Sequence, residues 1–336
     1  LGQLTGSCFQ RCAGLDALNA LYNATYQVDQ KYGTAYHRRA RAFVEHIQET
    51  DLMCEGAMTD PKGDRSLRPR QQTDPDMYLH VVERRDDGIV VRGAKLHQTG
   101  AVNSNEIIVM PTTALREEDK DYAVAFAVPS DTPGLVFIFG RQTDDQRKLN
   151  GGLDEGNHRY GYTGGEAIVV FNDVFVPWER VFLDGEYDFA LVMLEYFSCY
   201  HRTNYGACKA GVADVLIGAT AQLTEYNGVA GNALVRDKLV EMVHLSETLY
   251  ACATGASATG CATAAGGWFV NTTMANVTKL NTGRFTYDLL RLAHDLGGGG
   301  VATMPSEKDL QHPEVGKYLE KYLAGAGGVP AKYRMR

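Results

Sequence analysis

Four residues of this 336-residue chain have the types and spacing of a split metal-ligand set: Cys8-x3-Cys12 near the start and His201-x6-Cys208 in the second half. On helices, spacings of four and seven bring side chains to one face, so two packed helices would present three thiolates and one imidazole to a common point. Each half alone is weak, because free cysteines commonly serve as small buried apolar residues. Together they suit zinc as well as iron–sulfur chemistry, and spacing does not choose between the two. The residues beside His201 lean toward catalysis. In His201-Arg202-Thr203-Asn204-Tyr205-Gly206-Ala207-Cys208-Lys209, Tyr205 and Lys209 follow His201 on the same helical stripe. A closed structural zinc site needs neither group, whereas a catalytic site uses a phenol and an ammonium to move protons and polarise a carbonyl. The blander reading is an amphipathic helix with a core Tyr and a snorkelling Lys. Thr5-Gly6-Ser7 and Asp16 could each cap a helix beside the Cys pair, which leaves open whether Cys8 and Cys12 share one turn.

The elements that must carry these residues are legible as a helix–sheet–helix order. Leu15, Leu18, Leu21, Tyr22 and Tyr26, then Tyr36, Ala40, Phe43 and Ile47, recur at helical spacing, with Gly33 as punctuation between two helices. From about Met77 to Phe182 the pattern turns to short β-rich runs separated by Gly, Pro, Asp and Asn: Tyr78–Val82, Ile89–Leu96, Glu106–Met110, Ala123–Val128, Leu135–Phe139, Ala167–Phe171 and Val174–Val176. After Tyr187 long helical windows return, with breaks near Asn227-Gly228, Gly266-Gly267 and Gly297–Gly300. The expected division is a helical segment 1–56, a β domain 57–184 and a helical segment 185–336, an α+β chain. Ala253–Ala265, rich in small residues, suits a helix packed closely on its neighbours or across a subunit interface.

Composition narrows the partners. With 44% hydrophobic and 22% charged residues the chain is globular, and a net charge of −8 without any basic stripe argues against nucleic acid. No apolar run is long enough to span a membrane. The opening Leu1-Gly2-Gln3-Leu4-Thr5 has the character of neither an initiator Met nor a signal peptide, as expected of a chain that begins within a domain. Seven cysteines, an odd number in a chain of this size, favour a reducing compartment, and the cytoplasm is expected.

Thr5-Gly-Ser-Cys8-Phe-Gln-Arg-Cys12, Lys95-Leu-His-Gln-Thr99-Gly-Ala, Gly164-Gly-Glu166, Phe171-Asn-Asp-Val-Phe-Val-Pro-Trp-Glu179 and the His201–Lys209 segment together resemble the flavin-dependent 4-hydroxyphenylacetate 3-hydroxylase superfamily. The ligand set is similar to that of its iron–sulfur acyl-CoA dehydratases, and the resemblance covers essentially the whole chain. It implies an acyl-CoA dehydrogenase-like fold, with an N-terminal helical domain, a middle β domain that binds flavin, and a C-terminal helical bundle. It implies further that Cys8, Cys12, His201 and Cys208 hold a [4Fe-4S] cluster beside FAD. The family's flavin loop falls on Met58, Thr59, Asp60, Pro61, Lys62, Gly63, Asp64 and Arg65, and a second contact falls on His97, Gln98 and Thr99. Lys62 and Arg65 beside a glycine offer cations and N–H groups to a pyrophosphate, and Thr99 a hydroxyl to the ring edge. Read without the resemblance, the loop is a solvated turn and Glu166 a surface residue opening a strand; Gly297–Gly300 is a plain helix terminator.

The implied activity is dehydration of 4-hydroxybutyryl-CoA to crotonyl-CoA, with isomerisation of vinylacetyl-CoA by the same groups. Loss of a C3 hydrogen that no carbonyl acidifies calls for radical chemistry, with FAD as one-electron acceptor and the cluster iron as Lewis acid. The roles implied are His201 as ligand and candidate base, Tyr205 and Glu166 as acid–base or orienting groups, and Lys209 as a stabiliser of negative charge. A homotetramer is expected. Relative to the family the chain lacks an N-terminal helical portion and a long C-terminal stretch that should supply a further active-site carboxylate. Two other readings compete. One is a reduced-flavin aromatic monooxygenase of the same superfamily, disfavoured because thiolates beside a peroxidic flavin would be oxidised; the other is a non-catalytic protein with a structural zinc site.

Overall fold

The computed structural model describes residues 2–6, 8, 10–140, 152 and 165–336; of the motif residues above, Ser7, Phe9 and Gly164 lie outside the described residues. A single helical turn, Gly2–Thr5, precedes α1 (Cys12–Tyr32) and α2 (Tyr36–Thr50). Gly33 ends α1 with a left-handed φ of 69° and donates its N–H to the Asp29 carbonyl, a conformation in which glycine is unstrained. The Asp29 carboxylate then accepts the Tyr36 and His37 N–H groups, which have no partner inside α2.

Among the described residues, eight strands form two four-stranded sheets. The first contains β1 (Cys54–Ala57), β4 (Glu106–Val109), β5 (Val124–Pro129) and β8 (Val181–Asp184) in that spatial order, with β1 and β4 parallel. The second runs β2 (His80–Arg84), β3 (Gly88–Thr99), β7 (Glu166–Pro177) and β6 (Leu135–Phe139), all antiparallel. Sequence periodicity misplaces three details. The runs at 167–171 and 174–176 are one strand, β7, because Asp173 adopts a φ of 54° and bends the chain without ending it. The run expected at Tyr78 starts at His80. The four-residue strands β1 and β8 escape the pattern because their residues are buried on both faces and show no alternation.

The sheets face each other across a core that includes Val91, Ile107, Val128 and Val174, with Phe126 and Phe171 edge to face at 5.7 Å. The other face of the first sheet, through Ile108, Met110 and Phe182, is covered by Leu18, Leu21, Phe43 and Met193 of the helices. That second core joins the N-terminal helices to α3 (Ala190–Tyr226). α3 packs with α4 (Ala233–Ala258) and α5 (Thr272–Gly297) around Ala213, Met242, Leu245, Leu289 and Leu292. At Gly206 a Cβ would lie 2.1 Å from Thr278 Cγ2, so glycine permits the close approach of α3 and α5. The small-residue segment is helical only to Ala258; the rest enters a hairpin, β9 (Cys261–Ala262) and β10 (Trp268–Phe269), that turns at Gly266. Among the described residues no helix is long and apolar enough to cross a membrane.

Candidate active site

Cys12 is the first residue of α1, and Cys8 lies in the loop before it, so the two do not share a helical turn as the spacing suggested. The reason is Gln10, which takes a φ of 60° and is 2% exposed. Its side chain accepts from Asn103 Nδ2 at 3.2 Å and donates to Glu166 Oε1 at 3.4 Å. A Cβ on either Gly100 or Gly165 would come within 3.0 Å of Gln10, so the loop is wedged between the ends of β3 and β7. From there the Cys8 thiol hydrogen-bonds with both Cys12 and Cys208, the latter carried by α3. Cys8 is pulled well below its ordinary value, first by the Cys12 and Cys208 contacts and to a lesser degree by the Lys209 ammonium. Cys12 and Cys208 are pushed up chiefly by their bonds to Cys8 and then by burial. Three thiols brought into contact in this way offer, once deprotonated, the donors of a three-thiolate metal site.

His201 reaches the same place from α3. Its Nδ1 lies 3.0 Å from Asp16 Oδ2, and Asn204 Nδ2 donates to Asp16 Oδ1 at 2.5 Å. Asp16 is therefore not a helix cap: it sits inside α1, fully buried, because it serves α3 and not its own helix end. Burial raises its carboxyl, and the bonds from His201 and Asn204 oppose that rise. One ligand atom each from Cys12, Asp16 and His201 lies within 4.8 Å of the others. The His201 ring stacks between Phe197, at 5.4 Å between centroids, and Tyr205, at 6.2 Å. Lys209 Nζ stands 5.1 Å from the Tyr205 ring centroid and Lys279 Nζ, from α5, 4.5 Å.

A cavity of about 300 Å³ opens beside these residues. Met58, Thr59, Lys62 and Thr112 form one wall; Leu194, Phe197, Ser198, His201, Arg202 and Tyr205 of α3 form the other, and Lys279 closes the edge. The expected flavin loop thus contributes three side chains to this cavity. Asp60 is turned inward instead, where Lys95 Nζ donates to its Oδ1 at 2.5 Å and also to the Met58 and Met110 carbonyls, while the Thr112 hydroxyl donates to Oδ2. With Lys95 only 2% exposed, this buried ion pair anchors the loop from behind. Pro61 is buried, Gly63 has a φ of 48° with Gln72 packed where a Cβ would be, and Asp64 accepts from the Ser66 N–H and hydroxyl. Arg65 is exposed. His97, at a φ of 56°, is the exposed residue of an irregularity in β3, and the Gln98 amide donates to the Leu96 and Thr59 carbonyls. Thr99 lies opposite Glu166 in the sheet register. Glu166 itself opens β7 beside Gln10, next to the cysteine loop and not among the residues lining the His201 cavity.

Sequence reasoning passed over Gln10, Thr112, Asn204 as a partner and Lys279. Asp16 carried a usable signal, a position one helical turn after Cys12; Lys279 carried none, because only the packing of α5 on α3 brings it to Tyr205.

Comparison with known proteins is consistent with this geometry. Residues 1–183 match the model of the 4-hydroxyphenylacetate 3-hydroxylase N-terminal region, and residues 190–336 that of the C-terminal region. A 4-hydroxybutyryl-CoA dehydratase/vinylacetyl-CoA-Delta-isomerase from Clostridium aminobutyricum is 53% identical over all of this chain and 70% of its own length. An oxygen-tolerant archaeal 4-hydroxybutyryl-CoA dehydratase from N. maritimus superposes with a TM-score of 0.96 at 48% identity, covering 99% of this chain and 66% of that one. The oxygenase component of 4-hydroxyphenylacetate 3-monooxygenase, solved with FAD, superposes with a TM-score of 0.83 at 27% identity, covering 99% of this chain and 68% of that one. The chain therefore spans about two thirds of the length of these relatives. Matched along nearly its whole length by both halves of one family, the chain belongs to the 4-hydroxyphenylacetate 3-hydroxylase family.

Proposed function

We propose that the protein dehydrates 4-hydroxybutyryl-CoA to crotonyl-CoA and isomerises vinylacetyl-CoA, using FAD and a [4Fe-4S] cluster. The observation that carries this reading is the contact of Cys8 with Cys12 and with Cys208 of the distant α3, together with the approach of Cys12 to within 4.8 Å of His201, which borders a cavity. A monooxygenase relative has no use for three thiols at this place. The likeness to two dehydratases, at 53% and 48% identity, supports the same reading over the monooxygenase.

The residues present fit both groups. Cys8, Cys12, Cys208 and His201 form a soft-donor set suited to iron–sulfur ligation. Thr59 and Lys62, with Met58 as apolar wall, suit a flavin on the opposite side of the cavity. When bound, FAD supplies one-electron chemistry and the cluster a Lewis-acidic iron for the leaving hydroxyl. The chain's own residues do the rest. Tyr205, which lines the cavity, is the candidate acid–base group for the protons at C2 and C3, and Glu166, held beside the cysteine loop by Gln10, is the candidate orienting group. Lys209, with Lys279, concentrates positive charge over the Tyr205 ring, where it favours a developing enolate oxygen. With Nδ1 engaged by Asp16, His201 has only Nε2 left, which serves as ligand or as base but not both at once. A homotetramer, by family likeness, is part of the proposal; the exposed Leu234, Val240 and Tyr287 on α4 and α5 supply apolar surface for it.

The deciding experiment is anaerobic purification of the full-length protein, with iron, acid-labile sulfide and flavin quantified and 4-hydroxybutyryl-CoA as substrate. About four iron and four sulfide per subunit with FAD and crotonyl-CoA formation are expected. Flavin without iron would move the assignment to the monooxygenase; zinc alone would leave a structural site.

A further inference from the structure

We propose that Asp16 is the positioning residue of the ligand set, acting on it through His201. The inference rests on the iron–sulfur reading above and extends it to a residue outside the four ligands. Asp16 stands one turn after Cys12 on α1 and is completely buried. Both of its oxygens are committed to one turn of α3: Oδ2 to His201 Nδ1 at 3.0 Å and Oδ1 to the Asn204 amide at 2.5 Å. A carboxylate removed from water is costly unless its oxygens are hydrogen-bonded, and here two donors of a different helix provide those bonds.

The arrangement has a chemical consequence. An ionised carboxylate only accepts hydrogen bonds, so its partner nitrogen carries the imidazole proton. His201 is then the Nδ1–H tautomer, and the lone pair that can bind a metal is on Nε2. Phe197 and Tyr205 stack on the two faces of the ring and restrict its tilt. Asp16 sets the remaining freedom, rotation of the ring about its own axis, and Asn204 fixes the carboxylate that does so. A carboxylate behind a ligating imidazole also raises the donor strength of the nitrogen at the metal. Because Asp16 and Cys12 belong to the same helix, the device ties the orientation of the α3 ligand to the position of an α1 ligand.

The test uses the full-length protein, purified anaerobically as wild type, Asp16→Asn, Asp16→Glu and Asn204→Ala. The rate of iron loss to a ferrous chelator and the EPR spectrum of the reduced cluster are read alongside flavin content and melting midpoint. Asp16→Asn presents an amide that can donate to Nδ1 and so favours the wrong tautomer. It is expected to release iron about 10- to 100-fold faster, with a changed EPR line shape, while flavin content and melting midpoint stay near wild type. Asp16→Glu should recover part of the effect, and Asn204→Ala should fall between Asn and wild type. Wild-type iron release and line shape in Asp16→Asn would overturn the inference. So would iron loss that merely follows a parallel loss of flavin and a lowered midpoint, which is a structural role. If Asp16→Asn does not fold, Asn204→Ala decides by the same criteria. A wild type without iron overturns the iron–sulfur reading and this inference with it, whereas an iron-bearing wild type with an indifferent Asp16→Asn overturns this inference alone.

Discussion

Tyr205 concentrates the chemistry of the site at the scale of single residues: an imidazole is stacked on its ring, two ammonium groups stand over it, and its side chain lines the cavity. Of these four residues, His201, Tyr205 and Lys209 lie on one helical stripe, which the sequence spacing already displays. Lys279 does not, since it belongs to another helix. If the phenol moves a proton, Tyr205→Phe should lower kcat by about 100-fold or more with iron and flavin content unchanged. Retention of activity within twofold would reduce Tyr205 to a stacking surface. The candidate flavin residues divide in a way that their order in the chain does not reveal. Met58, Thr59 and Lys62 face the cavity, while Asp60 between them is consumed by Lys95.

The ligands are held in place at the scale of elements by close contacts between backbones. α1 approaches β1 so tightly that a Cβ on Gly14 would lie 1.9 Å from the Cys54 carbonyl oxygen, and one on Gly56 would lie 2.7 Å from that of Ala13. Gly14 follows Cys12 by two residues, so displacement of α1 moves a proposed ligand. Gly14→Ala is expected to destabilise the fold by about 1–3 kcal/mol, measured by chemical denaturation, and to lower iron retention as well. Unchanged values of both would mean that α1 can slide without cost. The long helices and most strands are legible from periodicity, because each presents one face to a core. β1 and β8 are not, because a short strand covered on both faces leaves no alternating trace in its sequence.

Stability at the scale of the whole molecule draws on two cores that share the first sheet, and Glu55 of β1 is buried within it at 1% exposure. Its Oε2 has no hydrogen-bond partner among the described residues. Burial pushes its carboxyl well above the ordinary value, with the Lys95 ammonium opposing. Because the folded value exceeds the unfolded one, the neutral acid's contribution to stability is complete below the ordinary carboxyl range. It is lost as the pH rises through the folded value. Glu55→Gln should therefore match the wild type in stability near pH 4 and exceed it by about 1 kcal/mol at pH 8, as followed by thermal melts across that range. A variant less stable at pH 8 would show that the ionised form is stabilised in the fold.

By itself the sequence determined the kinds of donor available, their spacing, the helix–sheet–helix order and the resemblance that points to flavin and iron–sulfur chemistry. These are local properties: a ligand spacing, a capping glycine such as Gly33 and an apolar period are all written within a few residues of one another. Tertiary structure alone decided the partners. It placed Cys8 in a loop turned by Gln10, sent Asp16 to His201 and not to a helix end, buried Asp60 against Lys95, and set Glu166 beside the cysteine loop. Periodicity records which face of an element is buried but not which element covers it. Hydrogen-bond partners separated by 185 positions, as Asp16 and His201 are, follow from packing that no local pattern encodes.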